Sequence, residues 1–314
     1  MTQLYVGGLD SDPNNQDHVE IVCHALINGI PIHSCLKYGN ALHLIKKCID
    51  ITQRTPHLIL KIYVNSSEPW LRASIDAQLQ AIFYILKTES IDAIQICCNP
   101  KFKYAQEGYP FREKLLHLKS IGKIKRFYLE VYWQYSENML KFLGDDVFSG
   151  YIFYHNLYLR EMNLELFSAI KNSKKEVITL RSLGGNDSYL SHFYSNQQKL
   201  EIEDVYRQSG CSSMLEFKIS LVKSTPRISG AVCGSSKFNN YIELLSKFNT
   251  QAPLSPRLWN RVAAVHDEVW STHGIGNGEG MQCTFGRKNA MIATRAALSL
   301  FNSRRMGVKT GFDW

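Results

Sequence analysis

Gly29-Ile30-Pro31-Ile32-His33-Ser34-Cys35-Leu36-Lys37-Tyr38-Gly39-Asn40 reads as a helix-ending glycine, a short strand and a loop carrying a tyrosine. An amphipathic helix follows from Ala41, and then a second apolar run, Leu58-Ile59-Leu60-Lys61-Ile62-Tyr63-Val64, with one lysine at its centre. A charge inside such a run needs a reason. If the two strands are neighbours in one sheet, Lys61 approaches the loop bearing Tyr38. An ammonium beside a phenol lowers the phenol's pKa and makes it a usable proton donor. The plainer reading has Lys61 snorkelling from an edge strand and Tyr38 as ordinary surface. Spacing alone leaves both open.

Working outward, apolar β-type runs begin near Leu4, Pro31, Leu58, Asp92, Ile124, Tyr151, Glu176 and Ile228. Helix-period segments separate them: Gln16 to Asn28, Ala41 to Thr52, Pro69 to Thr88, Phe111 to Ile121, Ser136 to Leu143, Asn163 to Asn172, Met214 to Val222 and Asn239 to Phe248. Runs such as Ala93-Ile94-Gln95-Ile96-Cys97-Cys98 are nearly continuously apolar, as strands covered on both faces are. Eight such units suit an α/β protein of the closed (β/α)8 TIM barrel type. The competing doubly wound sheet lacks its GxGxxG after the first strand, where only Gly7-Gly8 stands. We therefore expect a barrel over residues 1–250 and a mainly helical C-terminal extension over 251–314 that packs on the barrel or caps it. Within the extension a helix is predicted from Arg257 to Trp270, a glycine loop from Gly274 to Gly280 and a helix from Lys288 to Asn302. The glycine loop is not a phosphate-binding P-loop, because its spacing and its Arg287-Lys288 ending both miss that motif.

The 314 residues are 45% hydrophobic with a net charge of +8, which is enough apolar material for a full core. The basic residues are scattered rather than gathered, so no specific nucleic-acid partner is expected. No apolar stretch reaches membrane-span length and no leader pattern opens the chain, which predicts a soluble cytoplasmic protein. The eight cysteines show neither a CxxC nor a histidine at metal spacing, so no metal is expected. Cys97 and Cys98 point to opposite faces of one strand, and either could be an inert buried thiol or, on the inner face, a reactive one. His266, Asp267 and Glu268 fan around their helix and read as a solvated face. Trp259, Trp270 and Trp314 read as packing anchors.

In order along the chain, these residues resemble the aldo-keto reductase superfamily from the first strand to about Phe248. The opening stretch stands where that family has G-I-x-x-I-D-T-A-x-x-Y-G, with Tyr38-Gly39 matching its catalytic tyrosine and glycine. Leu60-Lys61 resembles the catalytic lysine of the third strand, and Ile91 to Pro100 the fourth strand that ends in H-x-P. Gly122-Lys123-Ile124-Lys125 resembles G-K-I-R, Tyr154-His155-Asn156-Leu157 resembles Y-H-P-L, and Ser182-Leu183-Gly184-Gly185 resembles P-L-G-G. Gly234-Ser235-Ser236 is similar to the phosphate-binding turn after the last strand.

The resemblance implies an NADPH-dependent carbonyl reductase acting on a small molecule, with an aspartate, tyrosine, lysine and histidine at the barrel mouth. Tyr38 and Lys61 match two of the four. His33 stands where the aspartate would be and Cys98 where the histidine would be. Beside Lys61, His33 would depress both pKa values rather than supply a negative charge. On the cofactor side, Glu130-Val131 replaces the serine-asparagine pair, Tyr151 falls at the sixth-strand glutamine, and Leu180 falls at the stacking aromatic. Glu130 could pair with Lys61 in an empty pocket. Gly234, Ser235, Ser236 and Lys237 keep the cofactor's distal end, offering N–H groups and a cation to a phosphate. Leu183 of the P-L-G-G-like segment is a further implied cofactor contact. The implied mouth is formed by Tyr38, Lys61, Cys98, Glu130, Tyr151, Leu180 and the tail around His273, and Lys61→Met is expected to abolish turnover with the fold intact. Three readings follow: a reductase with an altered tetrad, a non-catalytic barrel that binds a ligand or a protein partner, or a lyase or isomerase rebuilt around the same groups.

Overall fold

The computed structural model describes residues 2–8, 11–64, 70–98, 104–131, 136–160, 164–184 and 194–273. Its centre is a ring of eight parallel strands: β1 (Gln3–Gly7), β2 (Ile32–Cys35), β3 (Leu58–Val64), β4 (Ile91–Cys98), β5 (Ile124–Glu130), β6 (Phe148–Asn156), β8 (Glu176–Leu180) and β9 (Ile228–Cys233). The ring closes where β1 pairs with β9, Leu4 opposite Ala231, and where β5 pairs with β6, Glu130 opposite Ile152. The short strand β7 (Leu159–Arg160) folds back antiparallel on the end of β6. This is the (β/α)8 barrel expected from the alternation, and all eight expected runs are its staves.

The helices are α1 (Gln16–Ile27), α2 (Ala41–Thr52), α3 (Trp70–Leu86), α4 (Tyr104–Ser120), α5 (Ser136–Leu143), α6 (Leu164–Asn172), α7 (Asn196–Gln208), α8 (Met214–Lys223), α9 (Phe238–Thr250) and α10 (Pro256–His273). Local signals set their ends. Asn15 caps α1 by accepting from the His18 N–H, and Ser195 with Gln198 forms a capping box at α7. Pro256 at the first position of α10 loses nothing by lacking an N–H there. Two differences from expectation have clear causes. Pro110 suggests a helix start, yet α4 continues on its N-terminal side as far as Tyr104. The polar segment of α7 lacks an apolar stripe wide enough to announce a helix, since only Gln198, Ile202 and Val205 are buried.

Alternation along each strand divides the core in two. Leu58, Leu60, Ile62 and Val64 of β3 face outward and meet the helices. Tyr5, Ile59, Ala93, Tyr128, Ile152, Ile178, Leu180 and Val232 fill the barrel interior. Gly230 is required there, because a Cβ at that position would collide with the Tyr5 ring. Leu254, Leu258, Trp259, Val262, Val265 and Val269 place α10 in the same outer core as the barrel helices. Among the described residues, no helix is long and apolar enough to cross a membrane. The predicted glycine loop, the helix from Lys288 to Asn302 and Trp314 lie outside the described residues.

Candidate active site

At the C-terminal end of the interior, four adjacent strands each contribute one polar side chain to a single buried chain of hydrogen bonds. Lys61 of β3 donates to Glu130 Oε1 at the end of β5 at 2.7 Å, and its ammonium lies 2.6 Å from Oε2. Lys61 is 5% exposed and Glu130 is fully buried, so the pair is desolvated and charge-compensated. The Gln95 amide N–H on β4 donates to the second Glu130 oxygen at 2.5 Å. A carboxylate only accepts, which fixes the Gln95 amide with its oxygen facing His33 of β2 at 2.6 Å. His33 therefore carries its proton on Nε2 and donates to Gln95. The glutamate that the sequence sets in the mouth is thus the counterion of Lys61.

Burial is the main cause of the His33 pKa falling to about 4, with the Lys61 charge acting in the same direction and Gln95 and Glu130 opposing it. The imidazole is neutral, so it positions Gln95 and supplies no charge. Tyr38 lies beside it, ring centroids 6.4 Å apart. Here the expectation is corrected: burial raises the Tyr38 phenol to about 12, outweighing the opposing pull of Lys61 and Arg181. Tyr38 holds its proton throughout the neutral range, as a donor and not as a phenolate.

Two expected mouth residues face the other way. Cys98 pairs in register with Val64 and belongs to the outer core, whereas Cys97, opposite Tyr63, is on the face shared with Lys61. Tyr151 is also outside the ring, where its O–H donates to the Leu143 carbonyl at the end of α5 at 2.7 Å. The inward positions on β6 are those of Ile152 and Tyr154. Leu180 is inside the barrel, as the resemblance implies. Leu183 is partly buried against the outer core, and its carbonyl accepts from Lys218 at 3.1 Å. The side chain of His273 lies outside the described residues.

Gly234, Ser236 and Lys237 are exposed and Ser235 is half-buried at the start of α9. The Ser235 hydroxyl accepts from the Lys237 N–H at 3.1 Å and donates to its carbonyl. An unexpected residue meets them. Asp17 of α1 accepts from the Phe238 N–H at 2.9 Å and from the Lys237 ammonium at 3.0 Å. Those two contacts, the backbone N–H first, hold the Asp17 carboxyl below its ordinary range.

Of the face expected to be solvated, Glu268 is exposed and Asp267 partly so, but His266 is buried and two polar contacts hold the tail helix here. His266 is 1% exposed and donates from Nε2 to the Leu157 carbonyl at 3.0 Å, and Asp267 pairs with the buried Arg160. Trp259 packs edge-on against His155 with centroids 5.8 Å apart, as an anchor should. Like His33, His266 is held near 4 by burial. Both imidazoles stay neutral in the folded chain while the unfolded chain protonates near 6.5. Stability from these groups is therefore complete above pH 6.5 and falls as pH drops toward 4, by up to about 1.4 kcal/mol per pH unit for each histidine. Urea unfolding of the native chain, His33→Gln and His266→Gln at pH 7 and 5 should show flatter pH dependence in the variants. An unchanged slope in both would show that neither imidazole is the source.

No protein-family model and no curated protein sequence matches the chain. Solved structures do. The holo form of aldo-keto reductase AKR11C1 from Bacillus halodurans superposes with a TM-score of 0.64 at 14% identity, covering 84% of this chain and 95% of that one. This chain has the aldo-keto reductase fold. The thermostable aldo-keto reductase Tm1743, solved with the inhibitor epalrestat, gives a TM-score of 0.63 at 15% identity, covering 84% of this chain and 95% of that chain. A Klebsiella pneumoniae aldo/keto reductase, solved with NADP and acetate, gives 0.61 at 15% identity over 84% of this chain and 91% of its own. On this aldo-keto reductase fold, Tyr38 and Lys61 share the mouth with Glu130, Gln95 and His33. Gln95 could have been found by the signal that exposed Lys61, a lone polar side chain inside an apolar run. Asp17 carried no such signal, because an acidic residue in the first turn of a helix is ordinary.

Proposed function

We propose that the chain is an aldo-keto-reductase-type oxidoreductase that reduces a carbonyl compound with NADPH. The observation that carries this reading is the buried Lys61–Glu130 pair, which keeps a charged, oriented lysine beside Tyr38 although the aspartate of the family pattern is replaced by His33. Glu130 does from β5 what an aspartate would do from β2. Tyr38, protonated, can donate to a carbonyl oxygen and then give up its proton as negative charge develops there, since an alkoxide is a stronger base than a phenolate. The Lys61 charge stabilises the phenolate left behind.

The residues at the start of α9 suit a cofactor phosphate. Asp17 already acts there as a stand-in anion, showing that the Phe238 N–H and the Lys237 ammonium converge on negative charge. Ser235 and Ser236 add hydroxyls, and a crevice lined by Gly7, Gly8, Ser11 and His18 opens beside Ser235. Lys237 is 66% exposed and Asp17 31% exposed, so water screens the pair and a phosphate can compete with the carboxylate. When bound, NADPH supplies the hydride. At the inner end Glu130 cannot donate, and the Gln95 amide bridges Glu130 and His33, so among the described residues neither side chain reproduces the serine-asparagine contact. That difference, with Asp17 on the phosphate donors, favours a cofactor-free binding barrel as the second reading.

Calorimetric titration with NADPH separates the two. Binding in the micromolar range, roughly −8 kcal/mol, is expected, and Asp17→Ala should tighten it several-fold by clearing the start of α9. No binding to either protein would remove the oxidoreductase reading.

A further inference from the structure

Lys37, one residue before Tyr38, is a cation for which the described residues supply no counterion. Its ammonium nitrogen is shielded from solvent and makes no hydrogen bond. It sits over the Tyr63 ring, 3.2 Å from the centroid, with the Lys61 ammonium 5.1 Å from the same centroid. The charged and titratable groups around it are Cys35 from β2, Lys61 from β3, Cys97 from β4 and Glu130 from β5. Glu130 is the only carboxylate among them, and it is held by Lys61 at 2.6 Å. Tyr38 is in the same field, since Lys61, Glu130 and Cys35 act on both groups, and Arg181 adds a third cation on the Tyr38 side. Among the described residues around Lys37, two ammonium groups, Lys37 and Lys61, thus share the one carboxylate of Glu130.

An ammonium taken out of water asks for an anion, and an aromatic face satisfies it less fully than a charge-assisted hydrogen bond does. Burial lowers the Lys37 pKa to about 8, which leaves it mostly protonated at neutral pH. Its flexible stem lets the ammonium leave the Tyr63 ring for a stronger partner. We propose that the carbonyl substrate is an oxo acid, its carboxylate held by Lys37 and its carbonyl oxygen presented to Tyr38. The carbonyl half rests on the reductase reading above; the carboxylate half rests on Lys37 alone.

The test compares pyruvate with methyl pyruvate, which keeps the ketone and loses the charge. By calorimetry at pH 7 the native protein should bind pyruvate at least about tenfold more tightly than the ester, the scale of one charge-assisted contact. Lys37→Met should abolish the preference and Lys37→Arg should retain part of it. Should Lys37→Met not fold, the native protein decides: pyruvate affinity must fall as pH rises through about 8, with ester affinity unchanged. Equal affinity for acid and ester, or a preference that survives Lys37→Met, overturns the proposal. Lys37-dependent pyruvate binding without NADPH-driven turnover keeps the anion site and removes the reductase reading. NADPH-driven turnover of pyruvate that Lys37→Met leaves unchanged does the reverse.

Discussion

Glu130→Gln is expected to lower the unfolding free energy by about 3–5 kcal/mol, the scale of breaking a buried ion pair from one side. The change keeps the size of the side chain and one oxygen for the Gln95 N–H, but it leaves the Lys61 ammonium, 5% exposed, without its carboxylate. Lys61→Met should cost a similar amount for the mirror reason, a carboxylate stranded in the barrel. The double variant Lys61→Met/Glu130→Leu should regain much of either loss, because apolar replacement of a whole buried pair is often neutral. Urea midpoints of the native chain, Lys61→Met, Glu130→Leu and the double variant close the cycle, and Glu130→Gln reads the loss of charge alone. A loss below about 1 kcal/mol for Glu130→Gln, the range of exposed pairs, would mean that water reaches Lys61 and that the pair is not the organising charge of the site.

The second large effect is on catalysis. Tyr38→Phe removes one hydroxyl and should cut carbonyl turnover by about 10²–10⁴-fold, the usual worth of a positioned acid. NADPH affinity and the urea midpoint should stay near native values. Steady-state rates with an oxo acid or a simple aldehyde provide the check, and a variant that turns over at the native rate would show that the proton comes from elsewhere. Tyr38→Phe is a cleaner probe than Lys61→Met. With Glu130 bonded to Lys61, removing the lysine disturbs the fold along with the chemistry, contrary to what the sequence led us to expect.

The barrel was legible because its strands are covered on both faces. Runs such as Leu58 to Val64 and Ala93 to Cys98 therefore carry an apolar signal that needs no partner to be read. β7, two residues long, and α7, with a mostly polar surface, lack such a signal. Within the site, Lys61 stood out as a charge in an apolar run and Glu130 as the replacement for the serine-asparagine pair of the family pattern, and the structure joins them. Which way a strand residue points was harder to read, because a shift of one position exchanges the two faces. That is how Cys98 and Tyr151 came to be expected inside, where Cys97 and Ile152 are found. The phenol pKa was misjudged for a different reason. Sequence shows which charge is near, but the desolvation that outweighs it depends on how deeply the ring is set. The solvated face expected at His266 failed in the same way, since only the packing of α10 on the β6–β7 turn shows that the imidazole is covered.

The seam between β1 and β9 carries a consequence for how the molecule comes into being. Leu4 and Ala231 are side by side in the finished ring but are synthesised far apart in time. Until Ile228–Cys233 leaves the ribosome, one edge of β1 has no partner, and an open strand edge is a template for pairing with another chain. The entropy of closing so long a loop must be met before that pairing repays it, which makes the seam a late event. A nascent chain of this kind depends for some time on whatever shields that edge, and its yield in the cell is set by its last stave as much as by its first.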